Sequence, residues 1–197
     1  GTKKIGHAGT LDPLAEGVLV VGVGRDATKR LAAEVAKEKE YKATICLGIT
    51  STTDDEEGNK VQSAIRQLAD KAPSEQAVRD VLRGFIGEIK QTPPVYSAVK
   101  VTGREAYKRV RAGEVFALQP RRVFIKDIEV LSYEWPYVTV RVVTGPGVYI
   151  RSLARDLGEK LGVGGYLSQL VRTRVGQWHA KSALPLDEAI RYVVKLK

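Results

Sequence analysis

Residues 6–17, with the sequence GHAGTLDPLAEG, form the segment of the chain best suited to chemistry. Three glycines and one proline among these residues predict a tightly shaped loop and exclude a regular helix or strand. Asp12 stands directly before Pro13, and a residue in that position is disfavoured in helical geometry. The loop therefore holds a carboxylate at a fixed place, where it can act as a nucleophile or a base. An isolated Asp-Pro pair usually only shapes a turn, so this interpretation depends on the whole segment.

The charge balance favours a protein that binds a polyanion. The 197 residues include 32 Lys and Arg against 23 Asp and Glu, which gives a formal net charge of +9. Such a basic domain often binds nucleic acid, although charge alone fits a merely soluble basic protein equally well. The length suits one domain. No apolar run approaches the roughly 20 residues of a membrane helix, so we expect a cytoplasmic protein without a membrane span.

Residue types for metal or redox chemistry are scarce. Cys46 is the only cysteine and lies in an apolar run, which predicts a buried structural thiol. One cysteine and two histidines do not form a tetrahedral zinc site. Residues 54–59 lack the alternating Asp spacing of a calcium loop, and residues 162–165 follow a predicted helix and not a strand, unlike a dinucleotide-binding loop. We therefore expect no metal and no cofactor.

Hydrophobic patterning predicts the elements that must position the loop. We expect strands at residues 18–23, 42–47, 122–131 and 138–143, and helices at residues 26–37, 74–84, 150–161 and 185–194, with Asp26 capping the first helix. Residues 52–59 should form a turn. Strands and helices mix without a regular βαβ rhythm. This favours an α+β fold with a mixed, mostly antiparallel sheet flanked by helices.

The loop closely resembles the signature of the TruB family of bacterial T-loop pseudouridine synthases, which reads G-H-x-G-x-L-D-P-x-A-x-G. Further segments resemble the family at residues 24–29, 40–43, 94–107, 147–152 and 170–176. The resemblance implies the pseudouridine synthase fold and an RNA-modifying isomerase that converts the T-loop uridine of tRNA (position 55) to pseudouridine without a cofactor. The alternative is a catalytically silent module that binds and folds tRNA. A small-nucleoside enzyme is a third hypothesis, disfavoured by the dispersed basic residues.

The resemblance also sets expectations for the domain. Family members begin with a strand and a Lys-Pro-x-Gly-x-(Thr/Ser)-Ser loop, which does not precede Gly1 here, and many carry a C-terminal PUA-type domain, which does not follow Lys197. We expect residues 1–197 to form a single catalytic domain without either part, acting as a monomer on the T-arm of tRNA.

The resemblance makes Asp12 the catalytic nucleophile and Arg151 its neutralising partner. A closed pocket desolvates a carboxylate, and a fixed guanidinium offsets that cost. Tyr41 is implied to stack on the target base, Leu170 to cover the other side of the base, and Tyr149 to support Arg151.

Two further substrate contacts and a set of phosphate contacts are expected. His7 is implied to fill the space left by the extruded uridine or to contact the RNA near it, and Lys29 belongs to the family-like segment at residues 24–29. Phosphate contacts hold and orient RNA and depend strongly on salt. The residues expected to make them are Lys100, Arg104, Lys108, Arg172 and Arg174.

Overall fold

The computed structural model describes residues 4–62 and 72–195. The strands are β1 (Ile5–His7), β2 (Ala15–Gly17), β3 (Val21–Val23), β4 (Lys39–Leu47), β5 (Ile49–Ser51), β6 (Lys60–Gln62), β7 (Gly87–Gln91), β8 (Lys100–Val101), β9 (Arg104–Glu105), β10 (Arg121–Glu134), β11 (Tyr137–Thr144), β12 (Gly165–Val175) and β13 (Trp178–His179). The helices are α1 (Arg25–Val35), α2 (Glu75–Arg83), α3 (Ala106–Arg111), α4 (Ile150–Lys160) and α5 (Leu186–Lys195), with a short 3₁₀ helix at Ala180–Ser182. In the described part of the chain, no helix is long and apolar enough to cross a membrane.

A mixed sheet forms the centre of the fold. Its strands follow the order β13-β12-β4-β11-β10-β7, and each neighbouring pair along this path is antiparallel. Strand β2 pairs with β12 in parallel and so attaches the chain before α1 near one edge of the sheet. The predicted α+β fold with a mostly antiparallel sheet is confirmed.

The core lies between one face of the sheet and helices α2 and α4. Alternate residues of β4 point to this face because side chains alternate along a strand. Their partners come from β11, β12 and both helices, and together they form one continuous apolar cluster. Its best-covered members include Ile45, Leu47, Leu82, Leu153 and Leu157. Burial of this kind contributes about 1.5–3 kcal/mol for each large aliphatic side chain.

Several local predictions agree with the structure. Ser74 is the N-cap of α2 and accepts a hydrogen bond from the backbone N–H of Ala77, and Gly84 ends that helix. Helix α4 carries its predicted apolar stripe into the core. Cys46 is fully buried, as expected of a structural thiol.

Two local predictions are wrong. The segment at residues 18–23 is strand only over Val21–Val23, because Val18 and Val20 bond instead to the neighbouring segments that frame the loop. Asp26 does not cap α1. Gly24 occupies the N-cap position with φ 90°, and no side chain caps the helix. Asp26 lies in the first turn, where a carboxylate still favours the helix dipole.

Candidate active site

The loop that carries Asp12 is held by backbone hydrogen bonds on both sides of the carboxylate, to the segment before β3 and to β12. Before Asp12, the N–H of Ala8 donates to the carbonyl of Val20 at 2.9 Å. After Asp12, the N–H of Val18 donates to the carbonyl of Arg172 on β12 at 2.8 Å. Gly17 has φ 100°, and a Cβ atom there would stand 2.2 Å from the Arg172 carbonyl oxygen, so only glycine fits. The loop therefore has little freedom to move away from β12.

Asp12 and Arg151 form a bidentate ion pair. The Nε of Arg151 donates to Oδ2 of Asp12 at 2.9 Å, and its Nη2 donates to Oδ1 at 2.8 Å. Arg151 lies in the first turn of α4, far along the chain from Asp12. Two parallel N–H···O bonds fix both the position and the plane of the carboxylate. The structure thus brings together the two residues on which the proposed chemistry depends.

The remaining donors of Arg151 face other groups of the pocket wall. Nη2 donates to the carbonyl of Tyr96 at 3.0 Å, and Nη1 donates to the carbonyl of Thr53 at 3.4 Å. Nη1 also lies 3.5 Å from Oδ2 of Asp55. The side chains of Arg151 and Asp55 are 5% and 3% exposed, while that of Asp12 is 30% exposed. Of these three charged groups, Asp12 is the one that a substrate can reach.

Two tyrosines lie near the Asp12 carboxylate. Burial raises the pKa of the Tyr41 phenol, the Arg172 charge opposes this, and the Asp12 charge adds to it. Burial also raises the pKa of the Tyr149 phenol, where the charges of Arg121 and Arg151 act in the opposite direction. Both phenols are therefore neutral at physiological pH, as an uncharged platform for a base requires.

Leu170 stands between the strand that carries Tyr41 and the end of the catalytic loop. On β12 it pairs with Ala43 of β4 on one side and Ala15 of β2 on the other, and it is buried. The structure therefore places Leu170 beside the loop, and its role as a cover for the base stays a prediction.

His7 and Lys29 lie on exposed elements next to the loop. His7 ends β1, opposite Val21 of β3. Lys29 lies on α1 and pairs with Asp26 at 3.8 Å, with both side chains largely exposed. Neither residue joins the buried ion-pair cluster, and both are accessible to RNA.

Of the five residues predicted to contact phosphates, three are exposed and two are largely covered. Lys100, Arg104 and Lys108 are exposed on the β8–β9 hairpin and α3, where Arg104 pairs with Glu114 at 2.9 Å and Lys108 pairs with Glu105 at 3.0 Å. Such exposed pairs are weak and exchange readily for a phosphate.

The structure does not support the phosphate contact predicted for Arg172, because it covers the side chain. The residue is 2% exposed, and its guanidinium donates to three carbonyls of the Asp12 loop and its flank. Arg174 is also largely covered, since its side chain is 18% exposed, bonds to the Gly176 carbonyl at 3.0 Å and lies 3.8 Å from Glu38. The burial of both arginines comes from segments that are distant in sequence.

Gln91 is a further site residue that sequence reasoning missed. It ends β7, is 1% exposed, and forms two reciprocal hydrogen bonds with the backbone of Tyr149. Its Nε2 donates to the Tyr149 carbonyl at 3.1 Å, and its Oε1 accepts from the Tyr149 N–H at 2.9 Å. The side-chain amide thus holds the residue that precedes α4 and, through it, the start of the helix that carries Arg151.

We expect Gln91→Glu to lower stability by about 1–3 kcal/mol at neutral pH, because a carboxylate cannot donate to the Tyr149 carbonyl. Burial should raise the pKa of the new carboxyl. The deficit should therefore shrink as pH falls and the group protonates, and grow as pH rises. Urea unfolding between pH 5 and pH 8 measures this. Exposed Gln177→Glu should show no such trend, and a pH-independent deficit in Gln91→Glu would contradict the assignment.

In the described part of the chain, no group of three or more His, Cys, Asp and Glu side chains is arranged to hold a metal ion.

Comparison with known proteins gives a consistent result. Residues 1–150 match the family model described as TruB family pseudouridylate synthase (N terminal domain), and residues 151–194 match the tRNA pseudouridylate synthase B C-terminal domain. The tRNA pseudouridine synthase B of Thermobifida fusca is 48% identical over 196 residues, covering 95% of this chain and 65% of the relative. That of Leifsonia xyli is also 48% identical, covering 93% of this chain and 61% of the relative. The chain therefore spans less than two thirds of the length of these relatives.

Solved structures show the same likeness. A crystal structure of a Cbf5–Nop10–Gar1 complex matches with a TM-score of 0.70 and 32% identity, over 97% of this chain and 46% of that chain. An H/ACA ribonucleoprotein bound to a substrate RNA containing 2′-deoxyuridine matches with a TM-score of 0.67 and 29% identity, over 97% of this chain and 45% of that chain.

Proposed function

Because this chain belongs to the TruB family of pseudouridylate synthases, we propose that it isomerises the T-loop uridine of tRNA (position 55) to pseudouridine, with Asp12 as the nucleophile. The observation that carries this proposal is the partly exposed Asp12 carboxylate, held through both oxygens by a buried guanidinium. The names of the relatives and the basic surface support RNA as the substrate.

The reaction requires a group that can form and release a bond without redox chemistry. The bond between uracil N1 and the sugar C1′ breaks, a bond between C5 and C1′ forms, the C5 proton leaves, and N1 gains a proton. A carboxylate can attack the sugar or the base, or remove a sugar proton, and then leave again. Each route needs an ionised carboxylate in contact with the nucleotide. The bidentate pair with Arg151 sets a fixed positive charge against both oxygens of the Asp12 carboxylate.

Neighbouring residues suit an extruded nucleotide. A uridine inside a folded loop must leave its stack, at a cost of a few kcal/mol. Tyr41 offers a neutral ring for stacking, and Leu170 offers an apolar surface beside it. Tyr149 is the N-cap residue of α4, which carries Arg151, and His7 is exposed, which suits the contact with RNA that we propose for it.

The proposal is tested by release of tritium from T-arm RNA that contains [5-³H]uridine, followed by mapping of the modified position. We expect release with a single pseudouridine in the T-loop, and none with a stem-loop of scrambled loop sequence. Modification at scattered uridines would overturn the T-loop assignment. Tight RNA binding without any release would instead favour the silent tRNA-binding module, which needs no ionised carboxylate in its pocket.

A separate prediction concerns the exposed hairpin. Lys100→Ala removes one cation that we propose contacts a phosphate, so the slope of log affinity against log salt should fall in magnitude by about 1. Filter binding of T-arm RNA at several salt concentrations measures it. Lys160→Ala, at the far end of α4, is the matched control and should leave the slope unchanged. Equal slopes for both variants would remove Lys100 from the RNA surface.

A further inference from the structure

Arg172 is the largest side chain among the fully buried residues, yet it carries a charge. Removing a guanidinium from water is costly unless its donors are satisfied and its charge is balanced. Within residues 4–62 and 72–195, no carboxylate lies within salt-bridge distance of Arg172. Three backbone carbonyls accept hydrogen bonds from its guanidinium, and the Tyr41 phenol lies close enough for Arg172 to lower its pKa against the effect of burial. Such an arrangement calls for an explanation beyond packing.

The three carbonyls all belong to the loop around Asp12 and its flank. Nε donates to Val18 at 2.7 Å, Nη2 to Gly9 at 3.1 Å and Nη1 to Thr10 at 3.4 Å. One side chain therefore holds the segments before and after Asp12 together. Only a planar fork of several N–H groups can do this, and an ammonium on a flexible stem cannot reproduce it.

The backbone of Arg172 strengthens the same connection. The Arg172 carbonyl accepts a hydrogen bond from the N–H of Val18, and Arg172 pairs in register with Gly17 of β2. On the other side of β12, Arg172 pairs in register with Tyr41 of β4. Directly opposite residues of two strands point to the same face, so Arg172 is adjacent both to the loop of the nucleophile and to the proposed base platform.

Lys39 contacts the same loop but has partners of its own. Its Nζ donates to the carbonyls of Val35 and Lys37 at the end of α1, at 2.8 and 3.0 Å. The Lys39 ammonium therefore does not share the loop carbonyls that Arg172 holds. Arg172 and Asp12 both act on the pKa of the Tyr41 phenol, which the Arg172 charge lowers and the Asp12 charge raises.

We propose that Arg172 is a positioning residue for the reaction: its buried guanidinium holds the two arms of the Asp12 loop against β12, beside Tyr41. The inference rests on the proposed function. It differs from a phosphate-binding role because the guanidinium has no exposed surface to offer RNA. It predicts a specific kinetic signature, since a displaced nucleophile slows chemistry without weakening substrate binding.

Arg172→Lys keeps the charge and loses the fork. We expect kcat for tritium release to fall about a hundredfold, the cost of misplacing a reacting group by about 1 Å, with KM nearly unchanged. Two controls accompany it. Arg141→Lys alters an arginine of β11 that is opposite Lys42, on the face of the sheet away from Tyr41, and should leave kcat unchanged. Leu82→Ala on α2 lowers stability through a remote cavity and should also keep kcat at a temperature well below its Tm.

Three kinetic results would overturn the proposal. They are an unchanged kcat, a rise in KM at constant kcat, and a fall in kcat that Leu82→Ala reproduces at equal loss of Tm. The second result would restore a substrate-binding role for Arg172.

Hydrogen exchange separates this inference from the proposed function, because it needs no activity. In Arg172→Lys, the amides of Ala8 and Val18 should exchange faster while amides of α4 keep their protection. Unchanged loop exchange would contradict the inference even if the chain modifies RNA. If the variant does not fold, the same inference can be tested in the wild type by measuring hydrogen exchange of the Arg172 Nε–H. We expect strong protection of this proton, and rapid exchange would overturn the assignment.

Discussion

Asp12→Asn should bind T-arm RNA with nearly wild-type affinity and form pseudouridine at least about 10⁴-fold more slowly, the scale seen when a catalytic nucleophile is removed. Asparagine has the same shape and can still accept a hydrogen bond from Arg151. It has no negative charge to attack or to take a proton. Single-turnover tritium release, with the protein in excess over RNA, measures the rate without the influence of product release.

A matched control is available on α5. Asp187→Asn makes the same chemical change at an exposed residue, and its rate should equal that of the wild type. Release by Asp12→Asn within a factor of about ten of the wild-type rate, a difference of 1.4 kcal/mol in barrier, would remove Asp12 from the nucleophile role.

Arg151→Met should lower both stability and rate. Methionine keeps some of the buried volume but leaves Asp12 and Asp55 without their shared guanidinium. Removing one partner of a buried pair typically costs about 3–5 kcal/mol, because an uncompensated charge remains. The Asp12 carboxylate, no longer held through two bonds, should also act about 10³-fold more slowly. Urea unfolding and single-turnover release measure the two effects.

Surface arginines provide the contrast. Arg79 pairs with Glu75 on the exposed face of α2, with side-chain exposures of 36% and 51%. Arg79→Met should therefore cost no more than about 1 kcal/mol and leave the rate unchanged. Arg151→Lys should be intermediate, because one nitrogen cannot hold both oxygens of Asp12 and the Tyr96 carbonyl together. A stability loss in Arg151→Met no larger than in Arg79→Met would show that the pair is not effectively buried.

The sequence was sufficient to predict helices that depend on short-range features, such as a capping residue or a periodic apolar stripe. The Ser74 cap and the apolar stripe of α4 each lie within a few turns of chain, so periodicity and capping chemistry were sufficient. Asp12 and Arg151 came from motif resemblance, since no spacing rule connects two residues so far apart. Strand β12 was missed, although its Val- and Leu-rich run between glycines is a strand signal.

The missed residues owe their roles to long-range contacts. Asp55 lies in an acidic turn whose sequence suggests a solvated loop, but it pairs with Leu167 of β12 and lies against Arg151 of α4. From the sequence, Arg172 was predicted to contact a phosphate. In the fold, β2 pairs with β12, and the loop covers the Arg172 guanidinium. Gln91 lies in no recognisable sequence motif. Its role follows from the two hydrogen bonds that its side-chain amide forms with the backbone of Tyr149. In each case a polar group is buried by segments that are distant in sequence.

The most direct measurement is a structure of Asp12→Asn or the wild type bound to T-arm RNA. The target uridine should be extruded between Tyr41 and Leu170, with a side-chain oxygen of residue 12 within about 3.5 Å of its sugar C1′ or a reacting atom of the base. Arg151 should still hold that side chain from the opposite side. A uridine bound elsewhere, with residue 12 out of reach of any nucleotide, would contradict the central role assigned to Asp12.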